Sequence, residues 1–198
     1  MKIETKDTRQ HILDTGYQLI AGQGFSNVGL SQILKHADVP KGSFYHYFKS
    51  KEQFGEALIN DYFDDYQLRI DERFNSNDGS AYDRLMGYWQ CWIDVHSESS
   101  ALQKCLVVKL SAEVSDLSEP MRLALLNGAT QIIGAISRCI DDGVKEGSIS
   151  VKNADETAEL LYNLWVGASL MSKLRKNSDG LDRVMLFTRS LLKNEIID

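Results

Sequence analysis

The sequence predicts an all-α protein, and three observations carry that prediction. Apolar residues recur at spacings of three and four along most of the chain, the period of one helix face. Capping pairs, in which an Asp, Ser or Asn precedes a Gln or Glu by three residues, stand at Asp7/Gln10, Ser50/Gln53, Ser100/Gln103 and Asn153/Glu156. No alternating apolar–polar run flanked by hairpin turns occurs, nor any internal repeat.

Each element follows in order. Ile12, Gly16, Leu19 and Ile20 share a face of a first helix, which Gly22-Gln23-Gly24 stops. Leu30, Ile33, Leu34 and Ala37 mark a short amphipathic helix. Asp38-Val39-Pro40 ends it, because the residue before a proline is pushed out of the α region. Pro40 opens a third, short helix through Phe48, since its first turn needs no donor there. Ser50 and Gln53 start a long helix to about Phe74, and Asn75-Ser76-Asn77-Asp78-Gly79 is a linker.

Beyond the linker, Tyr82, Leu85, Trp89, Trp92 and His96 step by three and four along one helix face. The Ser100 cap then precedes the apolar run Leu106-Val107-Val108. Ser118 and Pro120 open a helix with the stripe Leu125, Ala129, Ile132, Ile136 and Cys139/Ile140, ending near Gly143 or Gly147. Asn153 caps a helix carrying Tyr162, Val166, Ser169 and Lys173, with Trp165 beside them. The last helix starts near Gly180 and carries Leu181, Val184, Leu191 and Leu192.

Composition narrows the class. The 198 residues make one large domain or two small ones, and 43% hydrophobic with 25% charged residues excludes disorder. The uncharged apolar stretch at residues 123–137 contains Asn127, Thr130 and Gln131 and is too short and polar to span a bilayer. The charged N-terminus leads into no apolar leader, and three cysteines between positions 91 and 139 make no disulfide framework. These features predict a cytoplasmic protein with no membrane partner. A net charge of −6 alone argues against nucleic acid, but it is unevenly spread. Residues 1–51 hold Lys2, Lys6, Arg9, Lys35, Lys41, Lys49 and Lys51 against Glu4, Asp7, Asp14 and Asp38, a charge of +3 that leaves −9 for the rest.

The basic head has the layout of a helix-turn-helix: a short helix, a turn of three or four residues, and a second short helix, PKGSFYHYFKSK. Gly42 and Ser43 are small enough for close approach to base edges, while Phe44 and Phe48, four apart, anchor an inner face. Five rings cannot all be buried in one short helix, so Tyr45, His46 and Tyr47 are expected outward as donors to phosphates or bases. Lys41, Lys49 and Lys51 flank them as phosphate charges, and Lys51 also begins the next helix, where N–H groups favour an anion.

Residues 24–54 resemble the DNA-binding domain of the TetR family of bacterial repressors, through Ala37, Val39, Gly42, Tyr45, Phe48 and Lys51 in the pattern A-x-V-x-x-G-x-x-Y-x-x-F-x-x-K. The resemblance implies an N-terminal three-helix helix-turn-helix domain (1–51) and a C-terminal helical ligand-binding and dimerisation domain (52–198), with the helix at about 50–74 joining them. It also implies a homodimer on double-stranded operator DNA and release by a small-molecule effector. By position, Lys41, Gly42, Ser43, Tyr45, His46, Tyr47 and Lys51 match the DNA-contacting residues. Gly29 stands where the family usually has Thr or Ser at the start of the first motif helix, so a phosphate-binding hydroxyl is lost there unless Ser26 or Ser31 replaces it.

The segment KCLVVKLSAEVSDLSEPMR, with LYNLWVGASLMSK later, resembles a subgroup of the family that senses electrophiles or oxidants through a cysteine. The resemblance gives the sensing role to Cys105, with assistance from Lys173. Independently, Lys104 adjoins Cys105 and Lys109 lies one turn on, and nearby ammonium groups favour the reactive thiolate. By spacing alone a packed, inert thiol remains the commoner fate, and Lys173 can equally complement a helix C-terminus. Cys139 falls on an apolar stripe, core or dimer interface, and Cys91 is unassigned.

Trp89, Trp92, His96, Tyr162 and Trp165 can line an apolar effector pocket or simply form core. Cys91, His96 and Cys105 are too loosely spaced for zinc, with no fourth ligand, and Cys105 with His96 lacks an orienting group for nucleophilic catalysis. Gly22-x-Gly24 has Asn27 where a dinucleotide fingerprint needs glycine. No cofactor, metal or catalytic set is therefore expected. The reading is a dimeric repressor released by modification of Cys105, against two alternatives: a repressor of the same family with a non-covalent apolar ligand and a structural Cys105, and a small helical enzyme or binding module that does not read DNA.

Overall fold

The computed structural model describes residues 5–97 and 106–195, the side chains of 5–7 and 95–97 excepted. The Ser100/Gln103 cap, Cys105, and the side chains of Asp7 and His96 lie outside the described residues. Among those described, the chain forms nine helices and no strand: α1 (Thr5–Gln23), α2 (Leu30–Ala37), α3 (Lys41–Tyr47), α4 (Lys51–Phe74), α5 (Ala81–Ser97), α6 (Leu106–Val114), α7 (Glu119–Glu146), α8 (Ala154–Arg175) and α9 (Asp179–Lys193).

The helices group into two compact units. Among the described residues, one comprises 5–65 and 106–128, the other 66–97 and 129–195, so α4 and α7 each contribute to both. In the first unit α1 packs on α2 and α3 around buried Ile12, Leu13, Ile20, Ile33, Phe44, Phe48 and Phe54. A Cβ at Gly16 would clash with the Phe54 ring, so glycine sets the close approach of α1 to α4. The α2 C-terminus is held by His11, whose Nε2 donates to the Ala37 carbonyl at 2.9 Å. The break after α2 lies one residue earlier than the proline rule places it: Asp38 adopts the left-handed region, φ 50°, and the Val39 N–H closes onto Leu34 O.

Ser50 caps α4 as predicted, its Oγ accepting from the Gln53 N–H at 3.1 Å. The return bond goes to Lys49 rather than Ser50, with Gln53 Oε1 2.6 Å from the Lys49 nitrogen. Asn153 likewise caps α8 through the Glu156 N–H at 3.2 Å.

In the second unit α8 packs on α9 and α5 on α9. The core is aromatic: Trp89, Trp92, Tyr162 and Trp165, with Tyr88 and Phe74 beside them, all buried. By length and composition α7 meets the requirement for crossing a membrane, with a mean hydropathy of 1.3 over 18 residues, although its uncharged stretch alone is too short. Half of that window is buried within the protein, as in a core helix.

Candidate nucleic-acid interface

Helix α3 has seven residues, and its inner face is fixed by two rings. Phe44 and Phe48 are fully buried, 5.2 Å apart between centroids, and both meet Phe54 of α4. That anchoring leaves Lys41, Gly42, Tyr45 and His46 exposed, with Ser43 half-buried. Tyr45 keeps 46% of its surface in solvent, and the Lys41 ammonium sits 5.7 Å from its ring centroid. A Cβ at Gly42 would meet nothing within 4 Å. Glycine inside a helix costs about 0.5–1 kcal/mol relative to alanine, and no neighbour in the chain requires it here.

Two of the expected residues differ from their sequence assignment. Tyr47 is half-buried where an outward ring is expected, edge-on to His46 and tilted against Phe48. Lys51 turns its ammonium inward: Nζ donates to the Phe25 carbonyl at 2.7 Å and lies 4.3 Å from the Phe25 ring centroid. Desolvation by this partial burial lowers its pKa, against the opposing pull of Glu52 and Glu113. Ser31 is exposed in the first turn of α2, whose N-cap Gly29 supplies no side-chain bond, so an exposed hydroxyl is present at this end.

The candidate effector residues separate. Cys105 lies outside the described residues. Lys109, expected as a neighbour of the thiol, donates from Nζ to the Gly22 carbonyl at 3.2 Å. Lys173 is exposed in the last turn of α8. Trp89, Trp92, Tyr162 and Trp165 pack on one another as buried rings, and Trp165 Nε1 donates to Thr188 Oγ1 at 3.1 Å. Cys139 belongs to the core: its thiol reaches the Ala81 carbonyl at 3.5 Å, and burial pushes it up to about 12. Cys91 is half-buried with the Arg73 guanidinium 3.3 Å from its sulfur. Sequence reading misses Glu113, whose carboxylate binds the Phe25 and Ser26 amides across 88 and 87 residues; no local pattern signals it.

Comparisons with known proteins agree with this geometry. Residues 12–58 match the family described as bacterial regulatory proteins, tetR family, and residues 81–187 match the tetracyclin repressor-like C-terminal domain. The chain is 39% identical over 187 residues to the HTH-type transcriptional repressor NemR of Escherichia coli K12, covering 94% of each. It is 34% identical over 178 residues to the HTH-type transcriptional repressor DhaR of a Mycobacterium species, covering 89% of this chain and 88% of that one. The crystal structure of the reduced form of E. coli NemR superposes with a TM-score of 0.90 at 40% identity, over 96% of this chain and all of the other.

Proposed function

The chain belongs to the TetR family as a helix-turn-helix transcriptional repressor, and from that premise we propose that it binds a palindromic operator as a homodimer and is released when a reactive electrophile or oxidant modifies Cys105. The observation that carries the DNA half is the outer face of α3, where Lys41, Gly42, Tyr45 and His46 are solvent-exposed above a fixed Phe44/Phe48 anchor. Gly42 leaves room for a groove edge, and the side chains supply donors to bases and phosphates. Ser43, Tyr47 and Ser31 flank this face. Two α3 helices would enter successive major grooves about 34–36 Å apart.

The dimer reading is supported by α8. Leu160, Met171 and Leu174 are exposed on one helical face with Gly167, at which a Cβ would meet nothing within 4 Å. An apolar, solvent-facing stripe around a glycine suits the close approach of a second helix. Leu186 of α9 is exposed as well.

For the effector, support comes from Lys104 beside Cys105 and from the relative whose structure is described as a reduced form. An effector shifts the dimer only by binding or modifying the DNA-free state better than the DNA-bound one. A compartment holding free DNA, the cytoplasm, follows from the same reading. The test is a gel shift on the DNA upstream of its own gene. Salt-sensitive binding is expected, with release by an alkylating agent for the wild type but not for Cys105→Ser. Absence of binding at low salt would remove the operator reading. Equal release of both proteins would leave Cys105 structural and an apolar, non-covalent effector in its place.

A further inference from the structure

The turn between α1 and α2, residues 24–29, carries amide and carbonyl groups that no helix satisfies. Two charged side chains bind such groups at Phe25 and Ser26, and a third binds Gly22 at the adjoining end of α1. Glu113 on α6 accepts from two successive amides, Phe25 N–H at Oε2 (3.0 Å) and Ser26 N–H at Oε1 (2.5 Å). Lys109, one helical turn earlier on α6, donates to Gly22 O in the last turn of α1, where a cation complements the negative helix end. Lys51 at the start of α4 donates to Phe25 O from the other side. The fit depends on Gly24, whose φ of +90° suits glycine and whose missing Cβ would stand 2.9 Å from Glu113 Oε2.

The electrostatics agree with the geometry. Burial alone would raise the Glu113 carboxyl, but the Ser26 side chain, the Ser26 and Phe25 amides and the Lys109 ammonium outweigh it and hold the group below its ordinary value. The anion, not the acid, is the form that receives two N–H donors.

We propose that Glu113 is a positioning residue for DNA binding: by clamping the Phe25 and Ser26 amides, with Lys109 on Gly22, it sets where α2 begins and hence the pose in which α1 and α2 hold α3 for the operator. The inference rests on the operator-binding reading and extends it to a residue 88 positions from the turn it holds. Glu113 touches no DNA. Its effect is on the register of a helix-turn-helix whose specific contacts tolerate little misplacement.

The test compares full-length wild type with Glu113→Ala and Glu113→Gln. It reads fluorescence anisotropy on the duplex from upstream of its own gene and on an unrelated duplex, with amide hydrogen exchange at Phe25 and Ser26. Glu113→Ala is expected to weaken operator binding by about tenfold, the scale of one lost charge-assisted bond. Affinity for the unrelated duplex should move less than twofold, and both amides should exchange faster. Glu113→Gln, which keeps one acceptor, should fall between, and it carries the same readouts where the alanine variant does not fold. Unchanged amide exchange in the variants would overturn the clamp. Faster exchange with unchanged operator affinity would overturn its positioning role. A wild type that prefers neither duplex removes the operator reading itself, and is seen before any variant is compared.

Discussion

Trp89 and Trp165 lie face to face, centroids 4.8 Å apart and planes 8° from parallel, yet their indole N–H groups have different fates. Trp165 donates to Thr188 Oγ1, which passes its own hydrogen to Val184 O at 2.7 Å. Trp89 Nε1 has no acceptor among the described residues. Thr188→Val preserves volume but leaves Trp165 unpaired in the core. A loss of about 1–3 kcal/mol in urea unfolding is expected. Trp165→Ala, which removes the stack, should lose about 3–5 kcal/mol.

Gly24 and Gly42 make opposite predictions from the same substitution. Gly24→Ala forces a side chain into the left-handed region and toward Glu113 Oε2, so it should destabilise the protein by about 1–2 kcal/mol. Gly42→Ala meets open space in a helix, so thermal unfolding should show the fold unchanged or slightly more stable. Anisotropy with operator DNA should nevertheless show Gly42→Ala binding at least tenfold more weakly.

The cysteines should sort by reactivity at pH 8. With its thiol pushed up to about 12, Cys139 is thiolate in on the order of one molecule in ten thousand, besides being buried. Peptide mapping after brief maleimide treatment is expected to find Cys105 labelled first and Cys139 unmodified until the protein is denatured.

The exposed α8 stripe predicts assembly. Leu174 keeps 69% of its surface in solvent. The wild type should therefore sediment as a dimer and Leu174→Asp as a monomer, with operator affinity falling alongside. A dimeric Leu174→Asp would move the interface elsewhere.

Asp61 gives a pH-dependent prediction. Burial raises its carboxyl pKa above the ordinary 3.8; Gln10 and Arg9 oppose that rise, while Asp65 and Asp14 add to it. An acid whose folded pKa is raised opposes folding while ionised, and the penalty vanishes as pH falls below its unfolded value. Asp61→Asn should raise the melting temperature at pH 7, with the gain shrinking as pH falls toward 3.8. A gain that persists in acid would point to packing rather than charge.

Local chemistry was the legible part of the fold. The Ser50 and Asn153 caps, the Gly22–Gly24 stop and the helix face of Leu85, Trp89 and Trp92 need only neighbours within a turn. Tyr88, buried beside Trp89, was absent from that predicted face because the stripe at three and four admits a wider arc than one row of residues. The α3 surface was legible because five aromatic rings in one short helix cannot all be covered. Phe44 and Phe48 take the inward places, and Tyr47, the last residue of α3, is half-buried between the two faces. Glu113 was out of reach, since its partners are backbone amides of Phe25 and Ser26, and a backbone group has no sequence signature.

The Lys51–Phe25 bond changes how the charge of the head is to be counted. A lysine that meets a phosphate displaces a condensed counterion, and each such exchange steepens the plot of log affinity against log salt by about 0.9. An ammonium already bridging two segments of its own chain has no ion to displace. As a polyelectrolyte ligand, the head therefore has a lower valence than its seven lysines and arginines suggest. Lys51 acts as a strut within the head, beside the face on which Lys41 is exposed.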